Sequence, residues 1–229
     1  DLFSWCDKES LPSAGKDREN TMRPLVQQIL SAVRYLHDVG IAHRDLSLEN
    51  ILLTETPKGE NLVQVIDFGM ATLARTVRRE VRGKQSYQAP EMHADAEYDT
   101  YLADIFACGV VIFAMAAQDY PWTSTKRNAC QLFEYVNAYG LRKFLEKRRV
   151  RKGNGEYLIQ ILTPGLVDII DVMLQVQPRQ RGFLGEDCLL DEAPAKGQPP
   201  RKNVWDLAWL EGAQPIAVPE ACRRARSKQ

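Results

Sequence analysis

Paired cysteines, histidine clusters and an excess of either charge are all missing from this 229-residue chain. The five cysteines (Cys6, Cys108, Cys130, Cys188 and Cys222) include no C-x-x-C pair and there are three histidines, so spacing assembles no metal-ligand cluster. An odd, unpatterned cysteine count reads as reduced thiols, which points to the cytoplasm and leaves the nucleus open. Basic and acidic residues number 30 each, so the global positive field that nucleic-acid or membrane-surface binding leaves is absent, and neither partner is expected. The longest apolar run, Ile105–Ala117 between Asp104 and Gln118, falls short of the roughly 20 apolar residues that a bilayer span needs and reads as a buried core helix. No signal peptide opens the chain, because Asp7, Lys8 and Glu9 stand where an apolar stretch is required. Residues 1–4 lack an initiator Met and read as a chain entered partway.

What is present suits one packed domain: 45% hydrophobic and 26% charged residues. Residues 7–20 are polar, with Pro12 and Gly15, and predict a surface connection. A helix is expected from about Thr21, with Pro24 in its first turn, a buried face at Leu25, Val26, Ile29, Leu30, Val33 and Leu36, and a stop at Gly40. Ile51–Leu53 and Asn61–Ile66 predict two strands joined by a turn around Pro57, Lys58 and Gly59. Residues 70–88 lack apolar periodicity and carry Arg75, Arg78, Arg79, Arg82 and Lys84 against Glu80 alone, which predicts a long basic loop. Helices are expected at about 101–118, Ala129–Tyr139 and Leu166–Val176, the last ended by Pro178. Residues 191–203 predict a linker, followed by a short helical element with Trp205 and Trp209 one turn apart and a basic tail holding Arg223, Arg224, Arg226 and Lys228.

Chemistry concentrates in three ordered segments. Residues 43–50 read His-Arg-Asp-Leu-Ser-Leu-Glu-Asn, 67–69 read Asp-Phe-Gly after an apolar strand, and 89–91 read Ala-Pro-Glu. Phosphoryl transfer asks for hard oxygen ligands to divalent cations and for a carboxylate that accepts a hydroxyl proton. The ordered set resembles the catalytic loop, metal-binding loop and end of the activation segment of eukaryotic-type protein kinases. That resemblance implies an α+β, mainly α fold: a kinase C-terminal lobe with a small β-hairpin and no N-terminal lobe. Residues 1–190 would be the partial kinase domain, and 191–229 the linker, Trp-containing helix and tail. The implied activity is transfer of the γ-phosphate of ATP, with Mg2+, to Ser or Thr hydroxyls of a protein substrate. Asp45 would be the base, Asn50 and Asp67 the metal ligands, and Leu52 the floor of the adenine pocket. Asp1 falls where the family hydrogen-bonds the ribose, and Glu49 joins the nucleotide set while also facing a basic substrate residue. His43, Phe68 and Gly69 would be structural, Asp104 would tie the catalytic loop to the core helix or else cap that helix, and Arg181 would pair with Glu91. His37 and His93 show no partner pattern and read as surface or satisfied residues.

Two departures from the family pattern carry information. The lysine expected two residues after Asp45 is Ser47, and the threonine expected after Gly83 is Lys84, so ammonium and hydroxyl look exchanged. Either Lys84 steadies the γ-phosphate while Ser47 takes the hydroxyl role, or Lys84 is one more surface charge. Glu80 stands where the family often carries a phosphothreonine facing Arg44; it either orders the loop in part or is a solvated charge. No G-x-G-x-x-G-x-V loop, V-A-I-K lysine or following helix glutamate occurs in the chain, so the isolated chain is expected to transfer phosphate poorly and to expose an apolar upper face. The alternatives are a pseudokinase-like scaffold that uses the helical lobe and the Trp205/Trp209 element, and an α-rich binding protein with chance motifs.

Overall fold

The computed structural model describes residues 1–8, 10–151, 155–186 and 200–217, which are mainly helical with two small antiparallel sheets. In chain order the elements are α1 (Leu2–Cys6), α2 (Lys16–Asp38), β1 (Ile51–Glu55), β2 (Asn61–Val65), β3 (Thr76–Arg78), β4 (Glu97–Asp99), α3 (Thr100–Ala117), α4 (Gln131–Tyr139), α5 (Leu141–Leu145), α6 (Leu158–Ile161) and α7 (Pro164–Met173). A helix that is apolar all round must be enclosed, and all 18 residues of α3 are buried, packed against α2 and α7. By length and composition alone α3 is apolar enough to cross a membrane; here it is the centre of the core. Its cap is Asp99, whose Oδ1 accepts from Tyr101 N at 2.9 Å, so Asp104 is not the helix cap. Gly109 gives α7 its approach, because a Cβ there would lie 2.7 Å from Leu174 Cδ2.

Helix α2 begins at Lys16, five residues before the expected start, and Pro24 lies well inside it. The polar stretch read as a surface connection is in part core. Arg18 is buried and donates to the carbonyls of Met115, Pro12 and Cys6. Buried Glu19 accepts from Thr163 N at 2.8 Å and Trp209 Nε1 at 2.9 Å. These charges enter the core because each is saturated by hydrogen bonds. The stop at Gly40 holds, with φ of 88° just after the last turn.

The expected hairpin forms, in a register that pairs Ile51 with Val65 and Glu55 with Asn61. Gln28 on α2 fixes its outer strand, accepting from Val63 N at 2.9 Å and donating to Asn61 O at 3.0 Å. The basic loop is more ordered than its composition predicts. Within it β3 pairs with β4, and its charges are matched: Arg75 with Asp99 at 2.7 Å, and Arg78 and Arg79 with Asp95 at 3.1 and 2.7 Å. Helix α7 ends at Met173, before the predicted Val176, where Arg181 Nε takes the carbonyl of Gln175 at 3.0 Å.

The Trp segment is not one helix but two 3-10 turns, Val204–Asp206 and Ala208–Leu210, separated by extended Leu207. Trp205 and Trp209 are buried, and Asn203 bridges Phe183, so this segment belongs to the packed body rather than to a free surface. Most of the expected linker (191–199), the basic tail, Cys188 and Cys222 lie outside the described residues. Cys6, Cys108 and Cys130 are free thiols.

Candidate active site

The loop between α2 and β1 is hung from the core helix by one carboxylate. Asp104 accepts from His43 N at 2.7 Å and from Arg44 N at 2.8 Å, which holds Arg44 in the left-handed region at φ 68°. His43 is buried: its Nε2 meets Ile66 O at 2.9 Å and its Nδ1 accepts from Asp45 N at 3.3 Å, which assigns the Nε2–H tautomer and a structural role. Asn50 Nδ2 donates to Asp45 O at 2.8 Å and to Asp45 Oδ2 at 3.0 Å. The second oxygen, Asp45 Oδ1, is enclosed beneath Gly83 and has no hydrogen-bond partner among the described residues.

The hairpin brings the second carboxylate to the same end. Ile66 N donates to Asn50 O at 3.0 Å, and the chain then turns at Asp67, φ 63°, whose Oδ1 accepts from Gly69 N at 3.2 Å. Asp67 is exposed. Because the amide nitrogen of Asn50 is committed to Asp45, its carbonyl oxygen is the atom left for a cation. Mg2+ keeps several waters and takes one or two protein oxygens beside substrate phosphates, so Asn50 and Asp67 fit it without a larger cage. Among the described residues no group of three or more His, Cys, Asp or Glu side chains is placed to hold a metal ion. Phe68 meets His43 at 5.0 Å between ring centroids, as the apolar stack requires. It is nevertheless 46% exposed, so the stack is open on one side, a departure from a fully internal position.

The basic loop closes over this arrangement. At Gly83, φ 78°, a Cβ would lie 2.8 Å from Arg44 O and 3.3 Å from Asp45 Oδ1, so glycine is what lets the backbone pass directly above the loop that carries Asp45. The next residue, Lys84, donates to Ser47 Oγ at 3.2 Å and pairs with Glu49 at 2.9 Å. Burial would raise the Glu49 carboxyl, but the Lys84 hydrogen bond and charge outweigh it and hold it below its usual value. Arg44 Nη2 meets Glu80 at 2.6 Å, and that hydrogen bond lowers the Glu80 carboxyl. Arg181, fully buried, holds Glu91 through two bonds of 2.5 and 2.9 Å. Asp1 caps α1 by accepting from Ser4 N at 2.7 Å, and half-buried Leu52 lies on β1, against which α1 packs.

Sequence reasoning missed three groups: the buried setting of His37, its partner Glu186, and Tyr87. His37, read as a surface or satisfied residue, is wholly buried between Asp104 (3.1 Å) and Glu186 (2.7 Å) and stacks on Tyr101 at 4.1 Å. Burial alone would lower its pKa, but the two carboxylates prevail and push it up to about 9. The third, Tyr87, places its hydroxyl against Leu48 N at 3.2 Å and Tyr120 at 2.9 Å, tying the basic loop to the 43–50 segment. No spacing rule reaches these partners, which are 33 to 149 residues away.

A family model described as a protein kinase domain matches residues 3–186. Serine/threonine-protein kinase SRK2B of Arabidopsis thaliana is 37% identical over 116 residues, 50% of this chain and 32% of that protein. Serine/threonine-protein kinase SAPK3 of Oryza sativa subsp. indica is 37% identical over the same length, 34% of that protein. CBL-interacting protein kinase 21 of Oryza sativa subsp. japonica is 31% identical over 172 residues, 73% of this chain and 29% of that protein. The chain thus spans about a third of the length of the curated relatives it matches.

Proposed function

The chain belongs to the protein kinase family, and from that premise we propose that it is the C-terminal lobe of a serine/threonine kinase that moves the γ-phosphate of ATP to protein hydroxyls. The observation that carries the reading is the joint placement of Asp45, Asn50 and Asp67, with one Asp45 oxygen bonded by Asn50 and the other free of donors. Asn50 and Asp67 would hold Mg2+, which when bound would neutralise charge on the phosphates. The chain's own residues do the rest. Asn50 aims the Asp45 carboxylate, Asp45 Oδ1 takes the proton of the acceptor hydroxyl, and His43 and Asp104 hold the loop so that neither group must reorganise. Leu52, Asp1 and Glu49 are proposed to face the nucleotide. Ser and Thr specificity is supported by the names of the relatives and by the Gly83–Glu91 segment.

A second lobe is part of the proposal. Tyr35 and Leu36 of α2, Leu62 and Val65 of β2, Phe68 and Ile216 line an open groove of about 340 Å³, and Phe68 and Leu62 are well exposed. Such a patch beside a candidate catalytic loop is suited to a covering domain. The test is phosphotransfer from γ-labelled Mg·ATP by the full-length protein to peptides bearing Ser, Thr or Tyr. Label should enter Ser and Thr peptides, and Asp45→Asn should lower the rate by about 10²–10⁴. Unchanged transfer by Asp45→Asn would contradict the assignment.

A further inference from the structure

The catalytic loop carries no cation of its own for the transferring phosphoryl group. Between His43 and Asn50 the one basic residue is Arg44, which is buried, with its guanidinium on Glu80 and its backbone N–H on Asp104. Phosphoryl transfer needs positive charge where charge is spread over the moving oxygens, close to the base. Two residues along from Asp45, buried Ser47 accepts from the ammonium of Lys84 at 3.2 Å. Glu49 steadies that ammonium from the other side at 2.9 Å, while the Lys84 side chain stays 44% exposed and able to meet a ligand.

We propose that Lys84 is the cation that meets the transferring phosphoryl group, and that it is delivered by docking of the basic loop, so that the Arg44–Glu80 contact and catalytic charge act as one device. The inference rests on the proposed kinase function. Its physical basis is the path of the loop. Lys84 reaches Ser47 only because Gly83 runs against the Arg44 carbonyl, and the same stretch is held four residues earlier by Glu80 on Arg44. Were the ammonium fixed to the catalytic loop, undocking of the basic loop would leave it in place. Here undocking removes it.

Transfer kinetics of the full-length protein test this with Lys84→Ala, Glu80→Ala, both together, the exchange Lys84→Ser with Ser47→Lys, and Asp45→Asn. Lys84→Ala should melt like the wild type and lose about 10- to 100-fold in kcat with little change in KM for ATP. The exchange, which moves the ammonium onto the catalytic loop, should recover kcat to within about fivefold of wild type. Glu80→Ala should lower wild-type kcat by about tenfold but add little to Lys84→Ala, because both remove the same charge. If the exchanged protein does not fold, Lys84→Arg decides: it should retain most of the activity that Lys84→Met loses. Wild-type kcat in Lys84→Ala, beside an inactive Asp45→Asn, overturns the role of Lys84 and leaves the kinase function standing. Losses for Glu80→Ala and Lys84→Ala that simply multiply overturn the coupling. A wild-type protein without Mg·ATP-dependent transfer, or Asp45→Asn with full activity, overturns the proposed function and this inference together.

Discussion

A charge inside a protein persists only when its neighbours stabilise it, and His37 states this at the scale of one residue. Its imidazole lies between Asp104 and Glu186, and near it the buried Cys108 thiol is pushed up first by burial and then by the same two carboxylates. The folded pKa of about 9 lies above the ordinary 6.5, so the stabilisation is complete below pH 6.5 and is lost as pH rises through 9. Glu186 acts oppositely. Burial would raise its pKa but His37 prevails and lowers it, so its contribution is present above its ordinary 4.5 and disappears on acidification. The difference in unfolding free energy between wild type and His37→Gln, measured in urea, should therefore shift by on the order of 3 kcal/mol against the wild type between pH 6.5 and 9.5; the comparison with His37→Gln cancels the opposite contribution of Cys130, whose thiol is held down at about 7. A difference that does not change with pH would refute the buried imidazolium. The candidate carboxylates Asp45 and Asp67 were legible in the sequence because each stands in a short motif that holds its partner: Asn50 is five residues from Asp45 and Gly69 two from Asp67. His37 was not, because its partners lie 67 and 149 residues away.

Among the elements, the basic loop shows how composition can identify a segment and misjudge its state. Five basic side chains predicted a long basic loop, yet Asp95, Asp99 and Glu49 take up charge from Arg75, Arg78, Arg79 and Lys84, and β3 joins β4. Those three acids lie in other segments, so local charge counting misses them. Gly83 is the point where the loop touches the 43–50 segment. Gly83→Ala must place a side chain at φ 78° and against the Arg44 carbonyl, a strain of about 1–2 kcal/mol before any clash. The loop should lift instead: hydrogen exchange across residues 76–88 should rise and transfer should drop at least tenfold, while the melting temperature stays near wild type. Unaltered exchange would mean that the close approach does not hold the loop.

Taken as a whole molecule, the main helices and the hairpin were readable from their apolar patterns, and the fold class from the resemblance carried by residues 43–50, 67–69 and 89–91. The closing of the body by its C-terminal segment was not, since Trp205 and Trp209 follow a Pro- and Gly-rich stretch that resembles a linker. Trp209 is buried and donates to Glu19, itself buried on α2, so Trp209→Ala opens a cavity and removes a donor from an enclosed carboxylate. A loss of about 3–5 kcal/mol in unfolding free energy is expected, and a loss below about 1 kcal/mol would place the segment outside the cooperative core. The central claim is that these residues form the catalytic half of a two-lobed kinase whose apolar groove at Phe68 and Leu62 is covered by the other half. The most direct measurement is the intact mass of the native protein captured from its source, with peptide mapping upstream of Asp1. The account predicts a mass well above 26.0 kDa and upstream peptides that carry a glycine-rich loop and a lysine strand; a native mass of 26.0 kDa would contradict it.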